Sequence, residues 1–209
     1  MSAPAVLVPF KGAEFKSRLS PILDEEGRKE FAYLLLTDLL QKVREAGLHQ
    51  QSHVVSPDLS AKGIAAKFGA SFMLEPRARG VNSAVRFGMR MLKGRDRFMV
   101  LPSDLAMVTV ADIRAALEIG RDLDLVIAPS SSFNGTNLLL FPRRMARLLS
   151  YDNNSFWNHL AAAARLGLST AVLTKKGLVF DLDTPADARE LAESKTRSRA
   201  ARYLRRLAK

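Results

Sequence analysis

Lys11, Lys16 and Arg18 follow directly on the apolar run Ala5-Val-Leu-Val8, so three cations crowd the loop that leaves an apolar segment. A run that is apolar at every position suits a central strand of a parallel sheet, where both faces are covered. Such sheets bind ligands beyond the carboxyl ends of their strands, which puts the three cations at the ligand edge and makes an anion their partner. The loop is not a phosphate-binding loop of the G-x-x-x-x-G-K-[ST] type. Lys16-Ser17 imitates the last two positions, but Phe10 and Phe15 stand where glycine is needed. Side-chain charge, rather than a nest of amides, must then hold the phosphates. Taken alone, the same loop reads equally well as a solvated charged surface.

Carboxylates supply the second half of a possible site. Asp104, in Val100-Leu-Pro-Ser-Asp104, and the pair in Phe180-Asp181-Leu-Asp183-Thr-Pro185 are expected to end central strands. A carboxylate at each of two strand ends can hold one hard divalent cation and leave positions for water and phosphate oxygens, the usual mode for magnesium. If the chain stays extended, Asp181 and Asp183 point to one side. Asp181 or Asp183 also reads as a helix cap ahead of Pro185, and Asp104 as a turn former. The cationic loop and the carboxylates together favour a phosphate-and-metal site.

Three further segments carry polar side chains. Phe133-Asn-Gly135-Thr136-Asn137 contains a hairpin-turn dipeptide. Ser155, in Tyr151-Asp-Asn-Asn-Ser155-Phe-Trp-Asn-His159, is a candidate helix cap, and open amides at such a helix start suit a carboxylate or phosphate. Gly80-Val-Asn82-Ser83 reads as a turn and cap.

The elements that must position these groups alternate between apolar runs and helical spacings, which predicts an α/β fold with a mainly parallel central sheet flanked by helices. After the opening strand, a helix is expected over 24–46, stopped by Gly47, then strands at 53–56 and 71–74 around a helix at 59–68. A helix over 82–92 leads to a second central strand at 98–102. Val110–Ile119 reads as helix, Leu123–Ala128 and Asn137–Phe141 as strands, and Ser155–Leu166 as an alanine-rich helix. Strands are expected near 171–173 and 178–182, and Thr184-Pro185 opens the last main helix with a cap and a first-turn proline.

Composition limits the function classes. At 209 residues and 47% hydrophobic content the chain builds one sizeable core, and a single domain over 1–194 is expected. The absence of cysteine excludes disulfides, thiolate metal sites and cysteine nucleophiles and fits a cytoplasmic protein, while His49, His53 and His159 lack metal-ligand spacing. No apolar run approaches the roughly 20 residues of a membrane span, nor is there a signal-like amino terminus, so a soluble protein with no membrane partner is expected. The net charge of +11 suggests nucleic acid until its distribution is considered. Seven of the 32 basic residues and none of the 21 acidic ones lie in 195–209, so the rest of the chain carries only +4. Within this basic tail Ala200, Tyr203, Leu204 and Leu207 recur at helical spacing, predicting an amphipathic helix that docks its apolar stripe and shows its arginines to solvent. Nucleic-acid binding, without an RNA-recognition motif or interleaved aromatics, is the weaker reading.

Together these segments resemble the 2-phospho-L-lactate guanylyltransferases of coenzyme F420 biosynthesis, within the nucleotidyltransferases of glycosyltransferase-A-like, Rossmann-like fold. The resemblance rests on Pro9-Phe-Lys11, Lys16-Ser-Arg18-Leu-Ser-Pro21, Gly80-Val-Asn82-Ser-Ala84, Leu101-Pro-Ser-Asp104-Leu105, Gly135-Thr-Asn137, Ser155-Phe-Trp-Asn-His159 and Asp181-Leu-Asp183-Thr-Pro-Ala-Asp187. Ala106 departs from the family's usual proline and Ser103 from a small apolar residue or glycine. The resemblance implies transfer of GMP from GTP to the phosphate of 2-phospho-L-lactate, phosphoenolpyruvate or 3-phospho-D-glycerate. It also implies Asp104 and Asp183 on Mg2+ with Asp181 in support, and Lys11, Lys16 and Arg18 on the triphosphate. Thr136, Asn137 and Ser155 are then the acceptor's contacts, and Gly80, Asn82 and Ser83 candidates for base and ribose. A sugar-phosphate or molybdopterin nucleotidyltransferase is the enzymatic alternative, and a homodimer is left open.

Overall fold

The computed structural model describes residues 3–12, 17–77 and 80–207. Strand β1 (Ala5–Pro9) is buried at every position and lies inside a seven-stranded sheet with β2 (Ser52–Ser56), β3 (Ser71–Leu74), β4 (Arg97–Val100), β5 (Leu125–Pro129), β6 (Thr136–Pro142) and β7 (Thr170–Val172). The order is β3-β2-β1-β4-β6-β5-β7. Every pairing is parallel except those of β6, which runs antiparallel to both β4 and β5. The sheet is therefore mainly parallel, as the apolar runs imply, with one reversed strand returned by the Asn134-Gly135 hairpin.

Strand residues alternate between two cores. Val6, Val8, Met99 and Leu138 face α1 (Glu25–Glu45), α2 (Ala61–Lys67) and α4 (Val110–Asp122). Leu7, Val100, Leu139 and Phe141 face α3 (Val81–Met91) and α5 (Ser155–Arg165). Helix starts follow the sequence: Asp24 accepts from the Gly27 amide at 2.7 Å, and Thr109 with Asp112 makes a capping box for α4. Each such cap is worth about 1 kcal/mol.

Two expectations are corrected. Residues 178–182 are not a strand: Lys176–Val179 form a helical turn, α6, after which the chain runs extended without a sheet partner. Leu178, Phe180 and Leu182 are buried alternately by packing, so the strand-like alternation records burial and not hydrogen-bonded pairing. Asp181 and Asp183 consequently sit on a free-running segment ahead of α7 (Pro185–Glu193) and not at a strand end.

The second correction concerns the basic tail. Arg199–Leu207 form helix α8, whose Ala200, Ala201 and Leu204 join Phe31 and Leu35 of α1 and Leu191 of α7 in a third apolar cluster. Its arginines do not all face solvent. Arg199 bonds Asp38 of α1 at 3.0 Å, the Ala200 amide bonds the other Asp38 oxygen at 2.9 Å, and Arg205 donates to the carbonyls of Ala192, Ser194 and Thr196. Among the described residues no helix is long and apolar enough to cross a membrane.

Candidate active site

The carboxyl ends of β1 and β4 meet the amino-terminal end of α3 around a cavity of ≈ 210 Å³, lined among others by Lys11, Glu75, Gly80, Val81, Ser103 and Asp104. The turn at Gly12 keeps the first loop close to the body of the protein. It has φ +71°, and a Cβ there would lie 2.7 Å from Asp58 Oδ2, an oxygen that also accepts from Tyr33 Oη at 2.6 Å. Only glycine satisfies both the dihedral and the contact. Lys16 lies outside the described residues. Arg18, in the 3-10 turn Ser17–Leu19, reaches Asp183 at 3.7 Å and so joins the cationic loop to the acidic segment. With the side chains 74% and 44% exposed, this pair contributes little stability, and its meaning is positional.

Asp104, Asp181 and Asp183 are electrostatically one group. Burial holds the Asp181 carboxyl above the usual carboxylate range, and the charges of Asp183 and Asp104 push the same way, against hydrogen bonds from Ser131. The Ser131 amide and hydroxyl both donate to Asp181 Oδ1 at 3.2 Å. Helix capping, the alternative role for Asp181 and Asp183, is filled by neighbours: Thr184 caps α7, and Asp187 accepts from the amides of Asp183 and Thr184 at 3.0 and 2.7 Å. Asn137 holds the segment from behind, its Nδ2 donating to the carbonyls of Leu178 and Val179 at 3.0 and 3.2 Å.

Among the described residues no three acidic or histidine side chains form a ready-made metal cage. Magnesium does not require one, since it keeps waters and substrate phosphates and takes one or two carboxylates from the protein. A group of carboxylates offering only oxygen ligands fits such an ion.

The start of β6 and the start of α5 form a second polar centre. His159 is fully buried; its Nε2 accepts from the Ser150 amide at 3.2 Å, which leaves the ring proton on Nδ1, 3.0 Å from Thr136 Oγ1. Burial drives the His159 pKa down to about 4, so the ring is neutral at physiological pH. Ser155 also donates to Thr136 Oγ1, at 3.1 Å. Thr136 thus accepts twice, and its own hydroxyl hydrogen is available to an acceptor. No side chain caps α5, whose Ncap residue Asn154 is left-handed at φ 61°, so the helix presents amides as an anion site would. Because β6 runs antiparallel to β4, its first residue, Thr136, lies at the edge of the sheet where β4 ends ahead of Asp104.

Gly80 lines the cavity and caps α3, but Asn82 and Ser83 do not line it. Both amide atoms of Asn82 brace the segment before α5, donating to Asp152 at 3.0 Å and accepting from the Tyr151 amide at 2.8 Å. Sequence reasoning missed Ser131 and Glu75, and it quoted His159 only within the Ser155–His159 motif, with no role of its own. Glu75 carried a usable signal, a carboxylate directly after a strand, the same placement that singled out Asp104.

The family model described as "Guanylyl transferase CofC like" matches residues 4–209. The phosphoenolpyruvate guanylyltransferase of Rubrobacter xylanophilus is 36% identical over 182 residues, covering 86% of this chain and 88% of its own. The 3-phospho-D-glycerate guanylyltransferase of Phenylobacterium zucineum is 32% identical over 207 residues, covering 97% and 95%. In fold the chain resembles a putative nucleotide-diphospho-sugar transferase from Desulfovibrio desulfuricans G20, with a TM-score of 0.77 at 19% identity over 98% of this chain and 95% of that one. Matched along almost its whole length, the chain belongs to the CofC-like guanylyl transferase family.

Proposed function

We propose that the protein transfers GMP from GTP to the phosphate of a small phosphorylated three-carbon acid, releasing pyrophosphate, in coenzyme F420 biosynthesis. The acceptor is 2-phospho-L-lactate, phosphoenolpyruvate or 3-phospho-D-glycerate; two relatives that resemble this chain about equally are named for different acids. The observation that carries the reading is that Lys11 and Asp104 line one cavity, Asp104 and Asp183 both act on Asp181, and Arg18 reaches Asp183.

An oxygen of the acceptor phosphate attacks the α-phosphorus of GTP, a new P–O bond forms, and the bond to the β-bridging oxygen breaks with its electron pair leaving on pyrophosphate. A phosphomonoester has its second pKa at roughly 6 and is largely dianionic at neutral pH, so the nucleophile needs no general base. The obstacle is repulsion between two anions. Lys11 and Arg18, with Lys16 from the same loop, offset the triphosphate charge and align it. The Thr136 hydroxyl and the open α5 amides, that of Ser155 among them, receive the acceptor's carboxylate; the Ser155 hydroxyl and the neutral His159 fix the Thr136 hydroxyl. Asp104 and Asp183, with Asp181 beside them, would hold Mg2+, which when bound neutralises phosphate oxygens in the transition state.

The test is pyrophosphate release from GTP with each acid in turn, with and without Mg2+, and mass spectrometry of the products from competing acids. Release that requires both an acid and the metal is expected. Release from GTP alone, or from none of the three acids, overturns the reading.

A further inference from the structure

Glu75 is a buried carboxylate without a job in the fold. It follows β3 directly, its backbone amide bonded to the Ser56 carbonyl at 2.9 Å, and its side chain lines the cavity beside α3. The residue is only 5% exposed, yet Oε1 is shut off from solvent with no hydrogen-bond partner among the described residues. An uncompensated buried acceptor is costly, and carboxylates are almost never left so unless something else satisfies them.

The cavity indicates what that is. Phe10, Pro57, Val81 and Ala84 give it apolar walls suited to a flat ring, while Lys11 and Asp104 line the same cavity, Asp104 being one of the acidic group. Its ≈ 210 Å³ is below the roughly 300–1,000 Å³ of a pocket that takes a whole ligand, so it suits one end of a molecule whose other end lies outside. A nucleotide with its base inside and its phosphates at Lys11 meets that description.

A carboxylate only accepts hydrogen bonds. Guanine presents two adjacent donors, N1–H and the N2 amine, whereas adenine places an acceptor at N1 and would face Glu75 with repulsion. We propose that Glu75 reads the base, taking the guanine N1–H and N2–H on its two oxygens and excluding adenine; the inference rests on the guanylyl-transfer reading above. Gly80, at the cavity wall with φ 85°, lets the chain enter α3 without a side chain crowding the ring.

Equilibrium binding by calorimetry tests this without turnover, using the full chain with Mg2+ and GTP, ITP, XTP or ATP. ITP lacks the N2 amine and XTP carries a carbonyl there. The native protein should bind GTP roughly 10- to 100-fold more tightly than ITP, the effect of one hydrogen bond to a charged group, and should bind ATP more weakly still. In Glu75→Gln the amide can donate to the xanthine carbonyl, so GTP affinity should fall by a similar factor and XTP should overtake GTP. Native binding that ignores the N2 amine, Glu75→Gln binding GTP like the native protein, or equal loss of all four nucleotides overturns the proposal. Failure of the reaction itself would appear elsewhere, as selective GTP binding with no acid accepted.

Discussion

The Asn137 amide donates to the Leu178 carbonyl at 3.0 Å, so the residue beside Thr136 on β6 fastens the helical turn just before Asp181. One side chain thereby fixes the spacing between the Thr136–Ser155–His159 centre and the acidic segment. With Nδ2 also bonded to Val179, Asn137 acts as a positioning residue. Asn137→Ala should lower stability by about 1–3 kcal/mol through the two stranded carbonyls. It should reduce kcat more than it raises the KM of the acid. Thermal unfolding with steady-state kinetics checks this, and an unchanged melting temperature with a raised acceptor KM would make Asn137 a substrate contact instead.

Asp104→Asn and Asp183→Asn should each lower turnover roughly 10²-fold or more, the scale seen when one electrostatic element of a transition-state site is removed. Neither should unfold the protein. The melting-temperature rise produced by Mg2+ with GTP should shrink in both. If Asp181 supports Mg2+ as proposed, its raised carboxyl would set protons against the ion, and Mg2+ affinity in the native protein should weaken as pH falls through that raised value. Metal titrations at several pH values measure it, and a pH-independent affinity would detach Asp181 from the metal.

His159 should make the protein acid-sensitive. Its folded pKa of about 4 lies below the ordinary 6.5, so the unfolded chain takes the proton first as pH falls. The contribution is complete above pH 6.5, declines from there and is lost by about pH 4, amounting to about 3 kcal/mol. Melting curves across that range should show a shallower slope in His159→Gln. The remaining slope belongs in part to His53, also lowered, first by burial and then by Arg95.

Gly177 should not tolerate alanine. A Cβ there would lie 2.8 Å from the Met107 carbonyl oxygen and would also meet the Asp112 carboxylate, so α6 would have to move and take Asp181 with it. A loss of about 1–3 kcal/mol is expected, with reduced turnover. Gly63→Ala, where nothing lies within 4 Å, is the control and should be stabilising by about 0.5–1 kcal/mol. Equal behaviour of the two variants would contradict the packing.

Most of the scaffold was legible because apolar runs and helical spacings report burial, and burial decides the strands of a two-faced sheet such as Ala5–Pro9. Residues 178–182 misled for the same reason, since their alternation comes from covering a core without a partner strand. The reversal of β6 was invisible in its apolar run, which reads alike in either direction; the Asn134-Gly135 turn was the signal. At the site, charge types singled out Lys11, Arg18 and the aspartates. The supporting bonds of Ser131, Asn137 and His159 arise from residues distant in sequence, whose meeting no local spacing encodes.

The clasp between α1 and α8 has a consequence during synthesis. Asp38 waits for the Ala200 amide, 162 positions later, and Phe31 and Leu35 wait for the same helix. At about 5–20 residues per second, that flank of α1 stays only partly covered, by Leu19 and Leu23 and later Ala106 and Met107, for roughly 8–30 s after it leaves the ribosome. The nascent chain therefore passes through an interval with a sticky, half-covered helix, during which a holding chaperone would find its easiest grip.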